Sequence, residues 1–463
     1  MSNQLKAVAA LCFVLVLILA GCSATSEDGP EGPAIASPSA GGSGKEESPK
    51  PAQDEPTEDQ KPAFEVSTDP VTLKLYVHVV RLSEIEYEKF FLQPLSELHP
   101  HITLQKIEGE LDQLVAAGEI PDIIVSDNDW HMPLKQLDLP YDMTELIQKF
   151  NIDLGAFNQA AIAAVQNLEP GEMQGLPFSR NQGALFYNRD IFDKFGVDYP
   201  VDDMLWSEVM ELHRLLTREE DGIQYIGIDL RFPDHMISPY TQPFVDPETN
   251  KALIDIPLYR KILELFDQKY KTPGYLQGNK YAYGPTGFVV DHIQAMQPDW
   301  VTKIVSDLLQ AEAEGKAPNW DMVTNPTFED KVGVGRHALA DMLIITKPSQ
   351  YKDQAMQVIE MVVSREQQIE LSKDSRVTVL DDPEIEKLFG TNNPVLADKN
   401  TAAIFKNPSS PTPPPHIADK EVQALIRALR REMAINKKDI NTALREAQEA
   451  ADLAIEEIMK SMN

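Results

Sequence analysis

Two carboxylates, an amide and an indole stand side by side at Asp127, Asn128, Asp129 and Trp130. They follow the segment PDIIV (121–125), which the sequence predicts to be part of a buried strand. Polar groups in the loop after such a strand line the ligand crevice of many open α/β sheets. The Asp-x-Asp spacing also occurs in calcium loops, but neither the glycine nor the distal glutamate of an EF-hand follows here. Two interpretations stay open for this segment: contact with a ligand, or a capped turn with a packed tryptophan.

Other segments whose residue types could carry out chemistry give weaker signals. Residues 41–48 (GGSGKEES) contain a Gly-Lys pair. However, Glu46 follows the lysine, and Ser39 stands where a phosphate-binding loop requires glycine. His99 and His101 flank a proline in a predicted loop, where solvated side chains are the simpler interpretation than metal ligands. No motif places two carboxylates as the acid and base of a glycan-cleaving enzyme. The sequence therefore predicts no metal site, no cofactor and no enzymatic activity.

Composition excludes one class of partner. The chain has 463 residues and a formal net charge of −31, from 73 acidic and 42 basic residues. Nucleic-acid binding needs a basic surface, so a nucleic-acid partner is not expected. The length is sufficient for two domains. Cys12 and Cys22 are the only cysteines in the sequence, so the body of the protein has no disulfide framework.

The N-terminus has the features of a targeting segment. Lys6 precedes an apolar run over 7–20 that is too short to span a bilayer comfortably. The following Leu-Ala-Gly-Cys resembles the bacterial lipobox, which implies removal of residues 1–21 and lipidation of Cys22. The alternative is an ordinary secretory signal with an incidental cysteine. Residues 22–70 are rich in Pro, Gly, Ser, Glu and Asp, which predicts a solvated, disordered tether.

Strands alternate with helices in the first half of the ordered chain. Period-2 apolar patterns predict strands at 71–80, 101–107 and 121–127, with helices at 85–98 and 111–117 between them. Helical patterns dominate later, with strand-like pieces at 224–230 and 338–346. Such alternation predicts an α/β protein with a largely parallel sheet.

Several segments together resemble one family. They are AAGEIPDIIVSDND (116–129), MQGLPFSRNQGALFYNRDIFDKFGVDYP (173–200), LWSEVMELHRLLT (205–217), QAMQPDW (294–300) and LIITKPSQYKDQAMQVIEMVVSREQQ (343–368). Their order is that of the extracellular solute-binding proteins of bacterial ABC transporters, in the sugar-type group that includes maltose-binding protein. The resemblance covers roughly 71–463.

The resemblance implies a two-lobed periplasmic-binding-protein-like fold with hinge strands between the lobes. The first lobe is expected to hold 71–181 and 326–372, and the second lobe 182–325 and 373–463. The hinge crossings are expected near 180–183, 322–325 and 372–379. Ligand would be held between the lobes, so that its contacts with both of them drive closure.

The resemblance also implies a set of ligand contacts. A sugar needs polar groups for its hydroxyls and aromatic faces for its C–H side. Asp129 and Trp130 match a ligand-touching pair of the family, and Trp300 matches a ligand-stacking aromatic, although His292-Ile293-Gln294 replaces the family's glycine-led turn. The remaining candidates follow predicted strands or lie at the hinge, and they are Asp127, Arg81, Ser83, Arg180, Asn181, Asp229, Arg231 and Tyr240.

The expected function is that of a substrate-binding lipoprotein of an ABC importer. It would capture a solute, most simply a carbohydrate or oligosaccharide, and deliver it to a membrane permease. The protein is expected to be a monomer, extracytoplasmic and lipid-anchored. The alternatives are a solute-binding sensor subunit, a surface adhesin, or a non-sugar ligand.

Tyr187 and Asn188 end the predicted strand that enters the second lobe. Asn is a good N-cap residue, and Tyr can bury its ring while its hydroxyl finds a partner. We therefore expect both to be structural and not to contact the ligand.

Overall fold

The computed structural model describes residues 65–461. The expected signal peptide 1–21, the lipidation site Cys22 and most of the tether 22–70 lie outside these residues. In chain order the strands are β1 (Val71–Val77), β2 (Ile102–Ile107), β3 (Ile123–Asp127), β4 (Leu176–Asn181), β5 (Gly183–Asn188), β6 (Arg218–Glu220), β7 (Ile223–Ile228), β8 (Gln294–Trp300), β9 (Trp320–Thr324), β10 (Gly335–His337), β11 (Leu339–Ile345), β12 (Val377–Thr378) and β13 (Ser409–Ser410).

The helices lie between and after these strands. In chain order they are α1 (Glu84–Tyr87), α2 (Gln93–Leu98), α3 (Leu111–Ala116), α4 (His131–Gln136), α5 (Thr144–Lys149), α6 (Gln159–Gln166), α7 (Arg189–Phe195), α8 (Trp206–Leu216), α9 (Pro233–Ile237), α10 (Pro257–Lys271), α11 (Val301–Ala313), α12 (Lys352–Val363), α13 (Arg365–Lys373), α14 (Pro383–Glu386), α15 (Ala403–Lys406), α16 (Asp419–Ala434) and α17 (Ile440–Ser461).

The first sheet has the strand order β12-β4-β11-β3-β1-β2. Strands β2, β1 and β3 are parallel, whereas β11 is antiparallel to both β3 and β4. The β-branched residues Ile123, Ile124 and Val125 of β3 are fully buried between helices on the two faces, as expected for a central strand. This apolar packing fixes where β3 ends, and therefore where the polar residues 127–130 begin.

The chain leaves the first sheet through one residue. Strand β4 ends at Asn181, and β5 begins at Gly183 in a second sheet of order β6-β7-β8-β5-β9. Only Gln182 separates the two strands. A crossing is predicted near 180–183, and here a short polar stretch lies between strongly apolar, strand-forming residues.

The return to the first sheet falls later than the expected crossing near 322–325. Strand β9 ends at Thr324, but Phe328 still packs in the core of the second sheet. The chain then forms the short strand β10, which pairs in parallel with β13, and enters β11 of the first sheet. The proline-rich segment 407–415 therefore supplies a strand next to the return crossing.

The third crossing is also displaced from the expected lobe assignment. Strand β12 pairs with β4 in the first sheet, although 373–463 were expected to belong to the second lobe. Val379, Leu380 and Ile385 still pack in the first core. From Phe389 onward the buried residues pack with the second sheet. A two-residue strand carries too little periodicity to be seen in a sequence.

The last two helices cover the second sheet. The apolar side chains of α16 and α17 pack in one core with α8 and α10. On α16 the buried apolar residues are spaced mostly three or four apart, which places them on one face of the helix. A different stripe of α16, with polar residues, is left to face the first sheet.

Candidate functional site

A cavity of about 90 Å³ lies between the two sheets, which is room for a small number of water molecules. One wall follows β3 of the first sheet. The other comes from α9, the end of β8 and the polar stripe of α16, and the segments around β10 and β13 close the back. The polar and aromatic lining residues are Asn128, Asp129, Asp234, His235, Ser238, Trp300, His337, Asp419, Gln423 and Arg427.

The strongest polar feature of the cavity is a paired carboxylate and guanidinium. Asp234 lies in the first turn of α9, and Arg427 donates to its Oδ2 from Nε at 2.9 Å and from Nη2 at 2.5 Å. Although burial lowers the pKa of Arg427, the hydrogen bond and charge of Asp234 raise it overall. The Oδ1 of Asp234 is buried and has no hydrogen-bond partner among the described residues. The pair can therefore still accept from a ligand through Oδ1.

The aromatic side of the cavity is built around Trp300, the last residue of β8. The rings of His235 and His337 meet the indole edge-on, with centroids 6.0 and 5.6 Å away. Trp300 thus stands between one imidazole from α9 and another from β10. A large, rigid aromatic surface of this kind is suited to covering an apolar face of a ligand.

His337 connects neighbouring parts of the cavity wall. Its backbone N–H donates to Ser238 Oγ at 2.6 Å, and this oxygen also lies 2.8 Å from His337 Nδ1. The other ring nitrogen, Nε2, faces Asp129 Oδ1 at 3.5 Å. This contact joins the return strand to the wall of the first sheet.

The residues of segment 127–130 do not all have the same role. Asp127 Oδ1 accepts from Trp130 N at 2.9 Å and caps a single 3-10 turn. Asn128 Oδ1 accepts from Ala340 N at 2.7 Å and ties the turn to β11. Asp129 lines the cavity. Trp130 lies outside the lining and packs against His78 and under the Nζ of Lys420, 4.2 Å from its ring.

The two aspartates of this turn have opposite pKa shifts. Burial, followed by the charges of Asp129 and Asp341, raises the pKa of Asp127 well above its usual range. Burial works in the same direction on Asp129, but His337 and Lys420 outweigh it and lower the pKa of that carboxyl. Asp129 is therefore the member of the pair that carries negative charge into the cavity.

The candidates after β1 do not line the cavity. Arg81 forms an ion pair with Asp307 on α11. This ion pair directly connects the end of β1, in the first sheet, with a helix that packs on the second sheet. Ser83 is the N-cap of α1, where its side chain and that of Glu86 form a capping box.

The hinge candidates are also engaged elsewhere. Arg180 donates from Nε to Thr378 O at 2.8 Å and pairs with Glu386. Asn181 Oδ1 accepts from the backbone N–H groups of Gln182 and Thr302, both at 3.1 Å. These bonds tie the crossing to its neighbours on each side.

The candidates of the second sheet form buried or surface pairs. Asp229 is fully buried and accepts from the N–H groups of Tyr283 and Gly284, each at 2.8 Å. Arg231 lies 3.3 Å from Asp299 through Nε. Tyr240 donates its hydroxyl hydrogen to Asp330 at 2.7 Å. None of the three lines the cavity.

Sequence reasoning missed Asp234, His337 and the polar stripe of α16. Asp419, Gln423 and Arg427 are spaced four apart, which places them on one helical face. That spacing was visible in the sequence. However, nothing in a sequence distinguishes a polar stripe facing a cleft from one facing solvent.

Residues 87–369 match the bacterial extracellular solute-binding protein family. Because this match covers more than half of the chain, the protein belongs to that family of binding proteins.

Three solved structures illustrate the fold. A sugar transporter of Rhizobium etli in an open conformation is 18% identical, with a TM-score of 0.67 over 82% of this chain and 99% of that one. A Listeria monocytogenes ABC substrate-binding protein in complex with cycloalternan is 16% identical, with a TM-score of 0.68 over 84% and 99%. A cyclic alpha-maltosyl-1,6-maltose binding protein of Arthrobacter globiformis is 14% identical, with a TM-score of 0.66 over 83% and 99%. The similarity shows that the chain has the two-lobed fold of these proteins.

Within residues 65–461 no helix combines the length and apolar character needed to cross a membrane. In the same range no three His, Cys, Asp or Glu side chains are grouped so that they could hold a metal ion.

Proposed function

We propose that this protein captures a carbohydrate in the cavity between its two lobes and delivers it to the permease of an ABC importer, without chemical turnover. The observation that carries the proposal is the arrangement of Asp234, Arg427 and Trp300. A sugar hydroxyl both donates and accepts, so it can donate to Asp234 Oδ1 and accept from the guanidinium. Trp300 supplies the surface for the C–H face of a ring.

The structural neighbours favour an oligosaccharide. Their ligands include cycloalternan, cyclic alpha-maltosyl-1,6-maltose and mannobiose. The present cavity of about 90 Å³ is too small for such molecules. The lobes must therefore separate for a solute to enter, and the form closed on a solute must be wider here than in this structure. Asp129 from the first lobe would then meet the solute from the opposite side to Asp234. The other candidates, including Trp130, Arg180 and Asn181, would support the cleft from outside it.

We also propose the lobe boundaries and the anchor. The first lobe would comprise β1 to β4, then β11 to α14. The second would comprise β5 to β9 and the chain from Phe389 onward. Lipidation at Cys22 would fix the protein to the outer face of the membrane as a monomer, with 23–70 as the tether. Tethering of this kind raises the effective concentration of the binding protein at the permease.

Isothermal titration calorimetry against a panel of neutral and acidic oligosaccharides tests this proposal. We expect saturable binding of one molecule per chain, and chromatography should recover the saccharide unchanged. Melting temperature should rise with the same ligand, because it binds the folded state alone. Absence of binding to every saccharide would contradict the carbohydrate proposal, and cleavage of the bound one would contradict the absence of turnover.

A further inference from the structure

Arg336 is a buried arginine without a partner. Its side chain lies on β10, is 2% exposed, and its Nε and Nη1 have no hydrogen-bond partner. Among the described residues it forms neither an ion pair nor a hydrogen bond. Its one stacking contact is with the ring of Trp300, 4.9 Å from the guanidinium carbon. Buried guanidinium groups in proteins are normally paired or hydrogen-bonded, so this one calls for an explanation.

The carboxylates near Arg336 already have other partners. Asp234 receives two hydrogen bonds from Arg427. Asp299 lies 3.3 Å from Arg231 and accepts from Trp300 N at 2.9 Å. Two carboxylates thus face three arginines, which leaves one positive charge in excess at this end of the cavity.

The charge on Arg336 persists at neutral pH. Burial lowers its pKa to about 10, while the carboxylate of Asp299 works in the opposite direction. This value is still well above neutrality. His235, which lines the cavity beside it, is neutral, because burial and then the charges of Arg336 and Arg427 hold its pKa well below the usual range.

The opposite end of the cavity does not cancel this charge. Burial raises the pKa of Asp127 and of Asp419, the latter to about 7. Asp129 remains negative but faces Lys420, whose charge acts on it. The Trp300 end of the cavity therefore holds an excess positive charge, whereas at the other end the negative charge of Asp129 is opposed by that of Lys420. This excess stands in a chain with a formal net charge of −31.

We propose that the cavity takes a saccharide bearing a carboxylate, with the acidic group at the Trp300 end, where Arg336 provides the unpaired positive charge. This inference rests on the proposed function and narrows its substrate class. Arg336 contacts Trp300 and does not itself line the cavity, but Coulomb attraction in a buried site of low polarity does not require direct contact. The stem of its side chain packs closely on Gly183, where an added Cβ would lie 2.6 Å from Arg336 Cδ.

The first test uses the unmodified protein and matched ligands. Uronate oligosaccharides are titrated beside their own methyl esters, which have the same rings without the charge, and beside neutral oligosaccharides. We expect the charged form to bind about tenfold tighter or more, with an advantage that shrinks as salt is added. Equal or tighter binding of the esters or of neutral saccharides would overturn this inference and leave the proposed function intact. Binding of no saccharide at all would instead overturn the proposed function, and this inference with it.

The second test assigns the preference to one residue. Arg336→Gln should reduce the preference for the acid over its ester by about tenfold. Arg445→Gln removes the same charge from the exposed side of α17 and should leave the preference unchanged. A folded Arg336→Gln protein with the full preference would overturn the assignment. If that variant does not fold, the comparison of acid and ester in the unmodified protein, with its salt dependence, decides.

Discussion

The pair formed by Asp234 and Arg427 is the residue-scale centre of the proposed site. A lysine at position 427 would keep the positive charge but could not donate two hydrogen bonds in the planar geometry of arginine. We expect Arg427→Lys to weaken saccharide affinity about tenfold or more, as measured by calorimetry. Arg445→Lys is the matched control on an exposed helix face and should bind normally. Unchanged affinity in Arg427→Lys would remove this pair from the site.

Asn188 has a structural role at the same scale. Its Oδ1 accepts from Asp190 N at 3.0 Å and caps α7, as the sequence predicts. The hydroxyl of Tyr187 lies 3.2 Å from Asp321, and its ring is buried. We expect Asn188→Ala to lower the free energy of unfolding by about 1 kcal/mol without loss of affinity, whereas Asn188→Ser should retain the cap. Denaturant unfolding measures the first quantity. Lost affinity at unchanged stability would contradict the structural role.

The contacts of single residues were the hardest feature of this molecule to predict from the sequence. Asp129 and Trp300 were expected near the ligand, and they do line the cavity. Arg180 and Asn181 lie next to each other on β4, yet alternation along a strand sends their side chains to different partners. Arg81 follows its strand as expected but finds Asp307 on α11. The pairing of charged side chains depends on contacts between segments that are far apart in the sequence. The spacing of residues along the chain does not show those contacts.

At the scale of elements the sequence was far more informative. Helix α3 agrees within a residue with the helix predicted at 111–117, and β1, β2 and β3 agree within a few residues. Long apolar patterns determine these elements by burial alone. The short strands β10, β12 and β13 could not be predicted, because pairing with distant segments creates them. Two of these three strands border the cavity's back wall, and His337 was missed because it lies on one of them.

The ion pair between Arg81 and Asp307 links elements of the two lobes. Arg81 follows β1, while Asp307 lies on α11 and is also 3.0 Å from Lys303. A pair formed on closure contributes to ligand affinity, but exposed pairs contribute only about 0–1 kcal/mol. We expect Arg81→Ala and Asp307→Ala each to weaken binding by less than about fivefold. The double variant should be no weaker than either one. Additive losses in the calorimetric cycle would show that the two residues act separately.

Helix α16 should make stability depend on pH through Asp419. Burial raises the pKa of this carboxyl to about 7, and the charge of Asp129 adds to it. An unfolded aspartate titrates near pH ~3.9. From about pH 4 to 7 the folded protein therefore holds a proton that the unfolded chain has released, and stability falls as pH rises through this window.

Asp419→Asn removes this titration. We expect the variant's melting temperature, relative to the unmodified protein, to be higher at about pH 8 than at about pH 5. Calorimetry of both proteins without ligand gives this comparison. A difference that is the same at both pH values would contradict the assignment to Asp419.

At the scale of the whole molecule, two bodies of the described chain are joined by a few short strands. The first sheet packs mainly in one apolar core and the second mainly in two, one on each face, and the crossing from β4 to β5 involves one residue. Such bodies can move apart as units, since the change is confined to element ends. Cavity-lining residues come from both bodies, so a solute that fills the cavity stabilises the closed arrangement over the open one. This coupling is what a delivery protein requires.

A crystal structure with a saccharide identified by titration is the most direct test of carbohydrate capture between the lobes. We expect ligand density between the two lobes, with a ring against Trp300 and hydroxyl groups within hydrogen-bond distance of Asp234 and Arg427. Asp129 should approach the same ligand from the other lobe. A saccharide bound at any other place on the protein, with this cavity holding none, would contradict the account.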